Sequence, residues 1–133
     1  MNVYFCGRWG RREELRRYAD QAATAGLVVV SRWLTSTDDD AIRDPGYLTR
    51  YARADLADLD VADVLVCFTE AGEAAGGRRG GRHVEYGYAL ALGRRLVVVG
   101  PAENCFHALA DARFEDWPRA LEFLARDMPP PGR

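Results

Sequence analysis

The sequence predicts a single doubly wound α/β domain carrying a five-stranded, mainly parallel sheet in the order 2-1-3-4-5. Three observations support that fold. Short β-branched runs alternate with stretches whose apolar residues recur at helical spacing, which is the rhythm of βαβ units. The run Val61–Phe68 is apolar but for Asp63, as expected of a strand covered on both faces. Helices joining parallel strands cross over with one hand and end up layered on both sides of the sheet, a flavodoxin- or Rossmann-like arrangement.

Taken in order, Asn2–Cys6 is the first strand, ended by Gly7. Glu13–Ala25 is a helix, with Leu15, Tyr18, Ala19 and Ala22 on one stripe, and Gly26 supplies its stop. Leu27–Trp33 follows as the second strand. Leu34–Arg43 is a polar loop. Asp44 and Pro45 have the character of an N-cap and a first helical position, opening a helix that runs to about Leu59. After the third strand, Ala71–Gly81 is a glycine-rich loop expected to be mobile, and His83–Leu92 is a helix stopped by Gly93. Arg95–Val99 is the fourth strand, broken by Gly100-Pro101. Glu103–Ala110 is a short helix, Ala112–Glu115 a weak edge strand and Pro118–Arg126 the last helix. Residues 1–127 thus form one domain, and the proline-rich Met128–Arg133 is expected to be disordered.

Composition narrows the function. At 133 residues, 48% of them hydrophobic, the chain can build one sizeable core. No apolar run is long enough to cross a bilayer and the N-terminus does not resemble a signal peptide, so a cytoplasmic location with no membrane partner is expected. A net charge of −2 argues against a nucleic-acid polymer as partner. Cys6, Cys67 and Cys105 are widely spaced in or beside apolar strands and read as buried small hydrophobes. His83 and His107 have no acidic or cysteine partners at ligand spacing, so no metal is implied, and nothing calls for a cofactor.

The 18 basic residues are all arginine. They include two clusters, Arg8, Arg11, Arg12, Arg16 and Arg17, then Arg78, Arg79 and Arg82. The planar guanidinium suits phosphate and carboxylate, so an anionic small molecule is one reading and a solvated surface the other. In a doubly wound sheet ligands bind beyond the carboxyl ends of the strands, where strand order reverses. Gly7–Arg12, Trp33–Asp40 and Thr69–Glu85 converge there, bringing residues of both arginine clusters with them. Gly7, Arg8, Arg11 and Arg12 form a glycine-containing turn opening a helix, a place where backbone N–H groups and arginines can hold an anion. The turn has neither dinucleotide-binding nor P-loop glycine spacing. Glu85 falls in the first turn of a helix at the same edge. There the helix dipole favours the carboxylate, which suits a nucleophile, while simple complementing of the dipole is the alternative.

The segment Glu85-Tyr86-Gly87-Tyr88-Ala89-Leu90-Ala91-Leu92-Gly93-Arg94, following a glycine-rich loop, resembles the nucleoside 2-deoxyribosyltransferase superfamily and its Glu-x-Gly-Tyr-Ala-Leu-x-x-Gly-Lys/Arg pattern. Asp55-Leu56, eight residues before Asp63 and a strand, is similar to a second family element. Tyr4-Phe5-Cys6-Gly7 resembles the branch of nucleoside 5'-monophosphate N-glycosidases and CMP or hydroxymethyl-CMP hydrolases. The likeness spans roughly residues 3 to 110.

The resemblance implies that Glu85 attacks the anomeric carbon while Asp55 accepts sugar hydroxyls and orients it, with Tyr4 touching Glu85 or the sugar. Asp58 and Asp60 read as solvated helix-end charges. Trp9 and Trp33 are candidates for stacking on a base, with core packing as the alternative. Deoxyribosyltransferases carry an acidic residue six positions before the nucleophile, where this chain has Arg79. The resemblance to the N-glycosidase branch instead implies a phosphate pocket of Arg78, Arg79, Arg82 and the amides of Gly80 and Gly81. Asn104 lies where the family inserts a residue from a neighbouring subunit, and His107 near a phosphate contact made across subunits, which implies at least a dimer. The function so implied is hydrolysis of the base–sugar bond of a nucleoside 5'-monophosphate. Base exchange between nucleosides and non-catalytic nucleotide binding are the alternatives.

Overall fold

The computed structural model describes residues 1–36, 45–72 and 80–126. Its strands are β1 (Asn2–Cys6), β2 (Val28–Val29), β3 (Val64–Phe68), β4 (Arg95–Val99) and β5 (Ala112–Phe114). They form a sheet in the order β2-β1-β3-β4-β5 with every neighbouring pair parallel. The helices are α1 (Arg12–Thr24), α2 (Pro45–Val61), α3 (Gly81–Ala91) and α4 (Trp117–Arg126). Three short 3-10 turns, Trp9–Arg11, Arg32–Thr35 and Cys105–Leu109, complete the elements among the described residues. No helix among the described residues is long and apolar enough to cross a membrane.

Strand alternation assigns the two sheet faces. On one face Phe5 meets Phe68 edge-on at 5.1 Å and Trp117 at 5.3 Å, while Tyr18 stacks on Trp117 at 5.3 Å. Aromatic residues from β1, β3, α1 and α4 thus close that side. Tyr4 and Cys6 of β1, with Leu65 and Cys67 of β3, point the other way, towards α3. All five residues of β3 are buried, as its unbroken apolar run requires.

The second strand departs most from expectation. Leu27–Trp33 forms a ladder only at Val28 and Val29, then turns into the Arg32–Thr35 element, which buries Trp33 and Leu34. The cause lies on the β1 edge. The Phe5 N–H donates to the Ser31 hydroxyl at 2.6 Å, and the Trp33 indole N–H donates to the Phe5 carbonyl at 2.8 Å. Side chains take both backbone positions that a longer β2 would have used.

Other differences are smaller. The helix expected to end near Leu59 continues to Val61, so β3 begins at Val64 and not Val61. The third helix starts at Gly81, two residues before the expected His83. Cys6 and Cys67 are buried, but Cys105 is exposed in a 3-10 turn. Gly100 has φ +114, and a Cβ there would collide with the Thr69 hydroxyl, so this strand end requires glycine. Asp44, Arg78, Arg79, most of the two polar loops and the tail 128–133 lie outside the described residues.

Candidate active site

Tyr4, Asp55 and Glu85 come together from three elements that lie far apart in sequence. The Tyr4 ring is fully buried, and its hydroxyl donates a hydrogen bond to Glu85 Oε2. Asp55, on α2, lies close enough to act electrostatically on both.

Burial holds the Glu85 carboxyl up at about 8, with the Asp55 charge adding to it and the Tyr4 hydrogen bond opposing it. The helix dipole therefore does not decide its charge. The penalty for taking a carboxylate out of water is larger, and near neutral pH the protonated form dominates. Asp55 is pushed up to about 6 by burial and by Asp58, against the pull of Arg32. Burial and the Glu85 and Asp55 carboxylates raise Tyr4 far above the ordinary phenol range, so it stays a donor.

Asp58 is not a solvated end charge. It is 5% exposed and accepts from the Arg32 backbone N–H at 3.0 Å and from Arg32 Nε at 2.7 Å, tying α2 to the turn after β2. Asp60 is exposed and accepts from the Tyr88 hydroxyl at 2.6 Å.

Around Gly7 the backbone passes close to α1, and a Cβ at that position would stand 3.1 Å from Leu15 Cδ1. Much of the first arginine cluster is engaged with its own chain. Arg11 pairs with Glu14 at 2.7 Å and donates to the Thr69 carbonyl at 3.1 Å. Arg8 and Arg11 each reach Glu70 at 3.5 Å. Arg12 lies 3.8 Å over the Trp9 ring and donates to the Trp9 and Ser36 carbonyls, and Arg16 donates to the Leu34 carbonyl. Trp9 stacks on Trp33 with centroids 6.2 Å apart. Of the two stacking candidates, Trp33 takes the core alternative, being 6% exposed, while Trp9 is only half-buried.

Gly80, at φ +59, opens α3 with no side-chain cap, and Gly81 is the first helical residue. Arg82, expected at a phosphate, points inward. Its side chain is 4% exposed and pairs with Glu103, itself 1% exposed, at 2.5 Å. Glu103 also accepts from the Glu70 N–H at 3.4 Å. The start of α3, and Glu85 one turn on, is thus anchored to the segment after β4. Asn104 caps the last 3-10 turn by accepting from Phe106 N–H at 2.9 Å and lies 3.3 Å from His83 Nδ1. His107 is fully buried and its Nδ1 accepts from Glu103 N–H at 3.0 Å, so the ring faces its own core and not a neighbouring subunit.

Glu103 and Tyr51 carried no signal in sequence reading, although Tyr51 precedes Asp55 by one helical turn. Glu85 lines neither of two hollows, of about 410 Å³ beside Gly100, Arg113 and Phe114 and about 350 Å³ between His83, Tyr86 and Phe106. Among the described residues no group of three His, Cys, Asp or Glu could hold a metal ion.

No protein-family model matches the chain, and no curated protein sequence matches it. Solved structures do. A 2-deoxyribosyltransferase from Bacillus psychrosaccharolyticus superposes with TM-score 0.66 at 19% identity, covering 91% of this chain and 90% of that one. The Clostridium botulinum CMP N-glycosidase BcmB does so at 0.54 and 16%, covering 93% and 98%. A conserved protein from Enterococcus faecalis V583 gives 0.66 and 16%, covering 96% and 99%. The shared property is the fold, a single α/β domain spanned nearly end to end.

Proposed function

We propose that the chain is an N-glycosidase that hydrolyses the base–sugar bond of a nucleoside 5'-monophosphate, with Glu85 as nucleophile. The observation that carries this reading is the buried Glu85 carboxyl, held by the Tyr4 hydroxyl beside Asp55 at the ligand edge of the sheet. An ionised Glu85 attacks C1' as the base departs with the bonding electrons and takes up a proton from solvent, which the later attack of water gives back. The positive charge that builds on the ring is stabilised by the neighbouring carboxylates. Water then opens the glycosyl ester and regenerates Glu85. Tyr4 holds the attacking oxygen in place, and Asp55 accepts sugar hydroxyls.

Hydrolysis is preferred to base exchange because position 79 is arginine, which cannot serve as the acid that reads a base. Likeness to the CMP N-glycosidase supports the same choice. Base exchange is the second reading, favoured by the higher TM-score to the 2-deoxyribosyltransferase. A second copy of the chain is proposed to complete the site. The exposed Val84, Phe106 and Leu109 lie on α3 and the turn joined to it by the Tyr86 hydroxyl, which donates to the Phe106 carbonyl at 2.8 Å.

The deciding experiment incubates the protein with CMP, dCMP, deoxycytidine and free adenine and separates the products. Free base from monophosphates alone is the expected result. Rapid exchange on unphosphorylated nucleosides would establish the transferase, and binding with no turnover would establish a nucleotide-binding module.

A further inference from the structure

Two unpartnered polar atoms lie one helical turn apart on α2, one of them on Asp55 beside Glu85. The Tyr51 hydroxyl and Asp55 Oδ1 are both shielded from water and have no hydrogen-bond partner among the described residues. Buried polar atoms are almost always paired, and one left over in a native fold calls for a ligand or a reason. Both residues remain partly exposed, so the shielded atoms lie at the margin of the site and not deep in the core. Residues four apart on a helix share a face, so the two groups stand on the same side of α2 as neighbours.

Their neighbours say what that volume is for. Asp55 sits beside Glu85 and Tyr4, at the sugar end of the proposed site. The Tyr51 ring stands edge-on to Trp9 at 5.9 Å and to Tyr47 at 4.2 Å, contacts that hold it in place. Trp9 is the half-buried candidate for base stacking. Tyr51 therefore links the candidate for base stacking to Asp55 at the sugar end, the part of a nucleoside that carries the hydroxyls.

We propose that Tyr51 and Asp55 together bind the vicinal 2'- and 3'-hydroxyls of a ribose, so that the site selects ribonucleotides over their 2'-deoxy counterparts. This rests on the nucleotide reading above and deepens it. Asp55 Oδ1 accepts from one hydroxyl and the Tyr51 hydroxyl bonds the other. A deoxy sugar leaves one of the two protein groups unpaired, and a site built to bond a hydroxyl rejects the analogue lacking it.

The test measures binding of ribose 5-phosphate and 2-deoxyribose 5-phosphate by calorimetry, and kcat/KM for CMP and dCMP, in the wild type and in Tyr51→Phe. The wild type is expected to prefer the ribose member of each pair, and Tyr51→Phe to shrink that preference about two- to tenfold, the value of one neutral hydrogen bond. Equal binding of the two sugar phosphates by the wild type overturns the proposal whether or not the variant folds, and so does a preference that Tyr51→Phe leaves unmoved. Ribose-selective binding with no base released sinks the hydrolase reading and leaves the proposal standing. Binding of neither sugar phosphate, with no base released, sinks both.

Discussion

Replacing Glu85 with glutamine removes the charge but keeps the shape and an acceptor for the Tyr4 hydroxyl, which makes it the sharpest probe of the site. In the folded chain the Glu85 carboxyl sits at about 8 against an ordinary 4.5. The folded state therefore holds this proton more tightly than the unfolded state does. The stability tied to it is fully present below about 4.5 and is lost as pH rises through about 8. At about 1.4 kcal/mol per pH unit the displacement corresponds to roughly 5 kcal/mol, an upper limit because the side chain is partly exposed and solvent screens it. Glu85→Gln escapes this penalty. It is expected to match the wild type near pH 4 and to exceed it by about 2–3 kcal/mol at pH 9, while losing turnover. Urea unfolding of both proteins at pH 4, 7 and 9 measures the difference. A gap that does not widen with pH would show that the carboxylate is not held against its own desolvation, and the electrostatic account of the site would fail with it.

The same ionisation governs the reaction. Below about 8, kcat/KM of the wild type should fall about tenfold per pH unit, because the free enzyme must lose the Glu85 proton before attack; a flat profile from pH 5 to 8 contradicts a carboxylate nucleophile. Asp55→Asn is expected to lower kcat/KM by about 10²-fold through lost positioning, while raising the melting temperature at pH 7 because it removes a charge from a site that pushes its carboxyl up to about 6. A variant less stable than the wild type at pH 7 would contradict the second part. Arg82→Ala leaves Glu103 buried and unpaired, and should cost about 3–5 kcal/mol in denaturant unfolding, with Arg82→Met/Glu103→Met together recovering much of it. A loss below about 1 kcal/mol in the single variant would mean that the pair does not anchor α3.

The sequence by itself determined the layering and the strand order, and it pointed to a candidate site. Those features follow from local chemistry repeated along the chain: apolar runs, helical stripes, glycine stops and one motif around Glu85. Each is a property of a few neighbouring residues, so each is legible without coordinates. Tertiary structure decided what depends on where distant groups meet. Residues 4, 55 and 85 are brought into one cluster only when β1, α2 and α3 pack, and burial then raises the two carboxyls against the helix dipole that the motif alone suggested. Arg82 shows the same limit, since its pairing with Glu103 across 21 positions turned an expected phosphate ligand inward. Ser31 and Trp33 shortened β2 by reaching the backbone of Phe5, a competition that strand propensity does not register. Propensity and motif act along the chain, whereas desolvation and ion pairing act through space.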